Sequence, residues 1–311
     1  MTLAQPVYDS RGRVLLTEGR TIHPTIVSRL NAMGIHMLIV EDEVSSGITL
    51  NDLLDMPSWM DLVQGLQSCY RQAKDKNTIV PKQVFDLAGK LLSELQHRPV
   101  LLPVPVASAT EELAPSAHAV NVTIWSLLVG RMRGYTALQL RDLAVGCLLH
   151  DIGKALATSD SEHPEAGFQL IKKHREFNLM SAHIAFQHHE AVDGSGFPRG
   201  IQGAAYLEMA QICSIANQFE NKLSEMTIPP HEVLEWLMSL SGSRYVHEVV
   251  QAFSVAVPAY MPGTRIRMQD GRSAVVMSIT THMQRPVIRY EDTQEVLSLA
   301  EHNSVMISGI Y

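Results

Sequence analysis

The stretch Leu140-Arg141-Asp142-Leu143-Ala144-Val145-Gly146-Cys147-Leu148-Leu149-His150-Asp151-Ile152-Gly153-Lys154 ends an apolar helical face on two side chains able to bind a metal. Leu140, Leu143, Ala144, Cys147 and Leu148 recur at helical spacing, which predicts one buried face of an α-helix. His150 and Asp151 follow at its end, and Gly153 supplies the backbone freedom with which helices stop. An imidazole beside a carboxylate is a mixed donor set that suits Zn, Mn or Fe better than Ca or Mg. Lys154 then puts an ammonium within reach of an anion bound at that end.

The histidines outside this stretch are unevenly spread. Of 14 in the chain, His118, His150, His163, His174, His183, His188 and His189 fall between positions 118 and 189. In His188-His189-Glu190-Ala191-Val192-Asp193-Gly194-Ser195-Gly196-Phe197-Pro198, the adjacent histidines point about 100° apart, so one helix end can serve two neighbouring metals. His189 continues the apolar stripe Ala182, Ala185 and Phe186; a packed core histidine is the plain alternative there. The glycines and proline that follow suit a rigid loop passing close to a ligand. His163 opens a helix with Pro164 in its first turn, where simple capping is the alternative role. His118 opens the helix before the one that ends at His150. Consecutive helices on a short turn run antiparallel, which brings His118 toward His150 and Asp151. His174 and His183 fall on charged or helix-start positions and receive no role.

The chain has 311 residues, 46% hydrophobic and 18% charged, which excludes disordered, collagen-like and coiled-coil classes. With 25 Lys and Arg against 32 Asp and Glu, it lacks the basic footprint of a nucleic acid polymer binder. Cys69, Cys147 and Cys213 are far apart and odd in number, which suits a reducing compartment. No apolar run reads as long enough to span a membrane, so the expectation is a soluble, cytoplasmic protein. Four parts are expected: a hairpin, helix and strand over 1–47, a helical linker over 48–98, a helical domain over 99–258, and a small β module over 259–311. In the first, Val7-Tyr8 and Val14-Leu15-Leu16 form the hairpin, Pro24 to Met33 the helix and Met37 to Val40 the strand. Pro81 opens a helix with an apolar face of Val84, Leu87, Ala88, Leu91, Leu92 and Leu95, and Pro99 to Pro115 reads as a connector.

The motifs at His118, Leu148 to Lys154, His163 to Gly167, His188 to Glu190 and Asp193 to Pro198 together resemble the HD-GYP family of the HD phosphohydrolase superfamily. The resemblance covers about 112–255 and implies a mainly α fold, an HD-type helical bundle flanked by small N-terminal α/β and C-terminal β modules. It implies a phosphodiesterase acting on cyclic di-GMP, to pGpG or GMP, with two divalent transition metals, Fe or Mn favoured and Ni or Zn possible. By position, His118, His150 and Asp151 would bind one metal and His163, His188 and His189 the other, with Asp151 bridging and Lys154 near the substrate phosphate. Two such metals can share a hydroxide and neutralise developing charge. Glu190 and Asp193 are expected to orient ligand imidazoles. The loop of Gly194, Gly196, Phe197 and Pro198 would face substrate or a diguanylate cyclase (GGDEF) partner.

The sequence departs from the family pattern at four places. Asn217 stands where the family closes its first metal site with an Asp, so that half keeps a carbonyl but loses a charge. Ala114 stands where a third metal would need a Glu, which caps the expectation at two. The segment Ser224 to Pro230 has no basic residue where the family has an Arg-Pro-Tyr-Arg-like substrate grip, and the link from Lys154 to His163 is short. The family's Gly-Tyr-Pro is Gly196-Phe197-Pro198. A catalytically weak or inactive module that binds nucleotide or a cyclase is the alternative that these departures support.

Overall fold

The computed structural model describes residues 1–225, 228–280 and 282–310. The N-terminal part pairs β1 (Thr2–Leu3) with β4 (Val40–Glu41), and β2 (Val7–Tyr8) with β3 (Val14–Leu16), around α1 (Pro24–Ala32). The strand expected at Met37 to Val40 is shifted toward its C-terminal end. His36 and Met37 both donate their backbone N–H to the Ala107 carbonyl, so this stretch is tied to the connector rather than to a strand ladder.

Helices α2 (Met56–Lys76) and α3 (Pro81–His97) are followed by an irregular connector and then α4 (Ala114–Met132) and α5 (Ala137–Leu148). Pro115 belongs to the first turn of α4 rather than to the connector, because a missing N–H costs nothing there. Thr136 and Gln139 form a reciprocal capping box that starts α5. A 3-10 turn at Ile152–Ala155 leads to α6 (His163–Lys172), α7 (Leu179–Gln187), α8 (Glu208–Ser224), α9 (Pro230–Ser239) and α10 (His247–Ala256). The C-terminal part is one antiparallel sheet of order β8-β7-β6-β5-β9, with β5 (Arg265–Met268), β6 (Ser273–Ser278), β7 (Val287–Tyr290), β8 (Val296–Ser298) and β9 (Ile307–Ile310). Met226 and Thr227, in the stretch read above for its lack of basic residues, lie outside the described residues.

The fold is mainly helical. Its largest core runs from Leu54 to Ile279 and includes Trp59, Trp125, Phe219 and Phe253. Smaller cores fill the C-terminal sheet, around Ile266, Ile288 and Tyr290, and the N-terminal part, around Leu3, Val7, Leu30 and Ile35. One sequence reading is corrected here. The segment Glu111–Met132 is long and apolar enough to cross a membrane, but 83% of its window is buried against the other helices. Being apolar on every side, α4 is the central helix of this core. The three cysteines are buried and unpaired with one another.

Candidate metal centre

Three helix ends converge at one place. Asp151 ends the turn after α5, His163 starts α6, and His188 and His189 follow the last turn of α7. Ligand atoms of Asp151, His163, His188 and His189 all lie within 4.8 Å of one another, and so do those of His118, His150 and Asp151. Asp151 belongs to both groups. Gly153 makes this convergence possible: a Cβ there would lie 1.9 Å from the His163 carbonyl oxygen, so only glycine lets α6 come this close.

The rings are oriented by backbone, not by acidic side chains. His150 Nδ1 donates to the Cys147 carbonyl at 2.7 Å, His163 Nδ1 to the Asp160 carbonyl at 2.5 Å, and His188 Nδ1 to the Ala185 carbonyl at 2.8 Å. A carbonyl can only accept, so each Nδ1 carries a proton and each ring turns its Nε2, the atom able to ligate, inward. Glu190 and Asp193, expected to do this orienting, are engaged elsewhere. Glu190 is buried and accepts the N–H groups of Arg199 at 2.8 Å and Ile201 at 3.2 Å, while Asp193 accepts that of Ser195 at 2.9 Å. Each ring is held by the carbonyl three residues before it, which leaves neither carboxylate a ring N–H to accept.

Most of the inward atoms are acceptors without a donor, the exception being Asp151 Oδ2, which accepts from Lys154. His163 Nε2 lies 3.2 Å from His188 Nε2, and the two lie 3.2 and 3.5 Å from Asp151 Oδ1. His150 Nε2 is 3.4 Å from Asp151 Oδ2. His150 Nε2, His189 Nε2 and Asp151 Oδ1 are buried with no hydrogen-bond partner among the described residues. Lone pairs facing one another in a buried site repel unless a cation lies among them. These residues therefore fit one or more divalent metals in chemistry and in placement. Burial, assisted by the neighbouring imidazoles, pushes His118 and His188 down to about 4, so both rings are neutral near neutral pH.

The half containing His118 differs. Its Nε2 lies 2.8 Å from Asn217 Oδ1, which also accepts from Asn221 Nδ2 at 3.1 Å. That imidazole already has a partner. Glu220, a possible replacement for the missing carboxylate, is not available: its oxygens accept from Asn121 Nδ2 and Trp125 Nε1. Lys154 Nζ donates to Asp151 Oδ2 at 2.7 Å from a half-exposed position.

The loop after His189 folds over the centre. Phe197 stacks on the His189 ring with centroids 4.5 Å apart and planes 13° from parallel. Gly196 lies where a Cβ would meet the Glu190 backbone at 2.4 Å, and Gly194 has a positive φ of 83°. One residue went unnoticed in the sequence. Tyr70 of α2 has a buried hydroxyl without a partner, and burial together with the Asp151 charge raises it well above an ordinary phenol. It lies 48 residues before His118 and 81 before Asp151, so no local pattern signals it.

Comparison with known proteins agrees with this geometry. A family model described as HD domain matches residues 116–222. A cyclic di-GMP phosphodiesterase of Pseudomonas aeruginosa is 23% identical over 230 residues, 68% of this chain and 55% of the relative. A cyclic di-GMP phosphodiesterase of Thermotoga maritima is 27% identical over 167 residues, 47% of this chain and 45% of the relative. The chain thus spans about half the length of the curated relatives it matches. Among solved structures, an HDG"Y"P protein from Bdellovibrio bacteriovorus superposes with a TM-score of 0.53 at 17% identity, covering 82% of this chain and 94% of that one. Residues 116–222 thus match the HD domain family model, within a chain that shares its fold with an HDG"Y"P protein.

Proposed function

We propose that this chain is a metal-dependent phosphodiesterase of the HD-GYP type that hydrolyses cyclic di-GMP to pGpG or GMP. The observation that carries this reading is the shared position of Asp151 between two groups of imidazoles whose acceptor atoms face one another unsatisfied. In this reading Asp151, His163, His188 and His189 hold one divalent transition metal, Fe or Mn ahead of Ni or Zn, and His118, His150 and Asp151 hold a second. When bound, the cations would lower the pKa of water and neutralise charge building on the phosphate. With cations at Asp151, Lys154 would be released from Asp151 Oδ2 and could place its ammonium on a non-bridging phosphate oxygen. Phe197, held flat on His189, walls the site on one side and offers a ring face to a base. Glu190 keeps the Gly196-Phe197-Pro198 loop in place through two backbone N–H groups.

A second reading, a nucleotide-binding module with little or no turnover, draws on one observation. The Asn217 amide occupies His118 and adds no charge, so the second metal would be held by fewer and more neutral ligands. Incubation of Mn- or Fe(II)-loaded protein with cyclic di-GMP separates the two. Linear product with wild type and none with Asp151→Ala supports the enzyme. Metal-loaded protein that binds the dinucleotide and leaves it intact supports the module.

A further inference from the structure

We infer that the cleft between the N-terminal part and the helical core binds an apolar organic cation, with the Glu220 carboxylate at its floor. The cleft has a volume of about 1690 Å³. Leu3 and Ile39 wall it from the N-terminal part, Val106 from the connector and Met261 from the segment before the C-terminal sheet. Asn121, Trp125 and Glu220, on α4 and α8, also line it, and at 3% exposure Glu220 sits on its inner side.

Glu220 has an unusual set of partners. Asn121 Nδ2 donates to one oxygen at 2.9 Å and Trp125 Nε1 to the other at 2.7 Å, and both donors are neutral. No ion pair joins Glu220 to a lysine, arginine or histidine of the described residues. Burial pushes its carboxyl up to about 7, against the pull of the two hydrogen bonds. A buried carboxylate that lacks a counter-ion is costly, and a ligand ammonium would remove that cost.

The remaining charge around the cleft has the same sign. Glu18, Glu41, Asp42 and Asp55 also line it. Its two cations are committed: Arg98 pairs with Glu94 and donates to the Asn51 and Leu53 carbonyls, and Arg265 pairs with Glu291. Acidic groups among apolar walls select a ligand with a positive head and a hydrocarbon body, and disfavour an anionic one. The plain alternative is a protonated Glu220 that only bridges α4 and α8. The site also adjoins the metal centre. Asn121 follows His118 by three residues on α4, and Glu220 follows Asn217 by three on α8, so one helical turn separates cleft floor from ligand cluster.

The full chain can be titrated at pH 8.5 with octylammonium, octanol and octanoate below their aggregation limits, following tryptophan fluorescence. Octylammonium is expected to bind roughly tenfold or more tightly than octanol, the worth of a charge-assisted hydrogen bond, with octanoate weakest. Glu220→Gln should bring octylammonium to the level of octanol. Equal binding of octylammonium and octanol, or an undiminished preference in Glu220→Gln, overturns the proposal. If Glu220→Gln does not fold, the wild-type chain at pH 5.5, where the Glu220 carboxyl raised to about 7 is protonated, replaces it. Octylammonium is expected to fall to the level of octanol there, and an undiminished preference would overturn the proposal equally.

Discussion

At the scale of single residues, Asp151 and Asn217 set the character of the centre in opposite ways. Asp151 contributes one charge to both ligand groups, while Asn217 saturates His118 without contributing any. The two halves should therefore differ in affinity, since ligand charge count tunes how tightly a cation is held. Asn217→Asp is expected to slow loss of the second metal to a chelator by roughly tenfold or more, about the value of one added favourable charge contact. Loss at the wild-type rate would show that another group already serves that position. The histidines and Asp151 were legible in the sequence because clustering and spacing mark them. Glu190 and Asp193 were misread, because acidity alone does not reveal that a backbone carbonyl three residues back already holds each ring N–H. Tyr70 was not legible, since only the packing of α2 against the turn at Ile152–Ala155 brings it near Asp151.

Among elements, the approach of α6 to the turn after α5 holds the two ligand groups together. That approach depends on the missing side chain at Gly153. Gly153→Ala forces backbone apart at His163 and is expected to cost about 1–3 kcal/mol, as overpacked positions do. A lowered melting temperature together with weaker metal retention would bear this out. A variant with wild-type retention would show that His163 can move without loss. Helices with one apolar face, such as α3 and α5, were readable from periodicity. By contrast, α4 is buried nearly all round, so its length and hydropathy resemble a membrane span more than an amphipathic helix. Strands β8 and β9 were not legible: they are three and four residues long, with no fully buried residue between them. β4 moved because a tertiary bond to Ala107 claimed the backbone before it.

For the whole molecule, the helical core places ligand residues from α4, the ends of α5 and α7, and the start of α6 around one carboxylate, while the flanking parts have small cores of their own. The flanking parts were legible as hairpin-rich and alternating segments. The cleft beside α4 and α8 was not, because it is built from segments that lie far apart in the chain. The central claim is that buried imidazoles converge on Asp151 to hold cations, unequally between the two halves. Equilibrium dialysis of the purified chain against Mn(II), with Asp151→Ala in parallel, tests it most directly. The expected result is one tightly held ion per chain, a second bound more weakly, and both lost in Asp151→Ala. A wild-type chain that retains no metal, or an Asp151→Ala variant that retains as much as wild type, would contradict it.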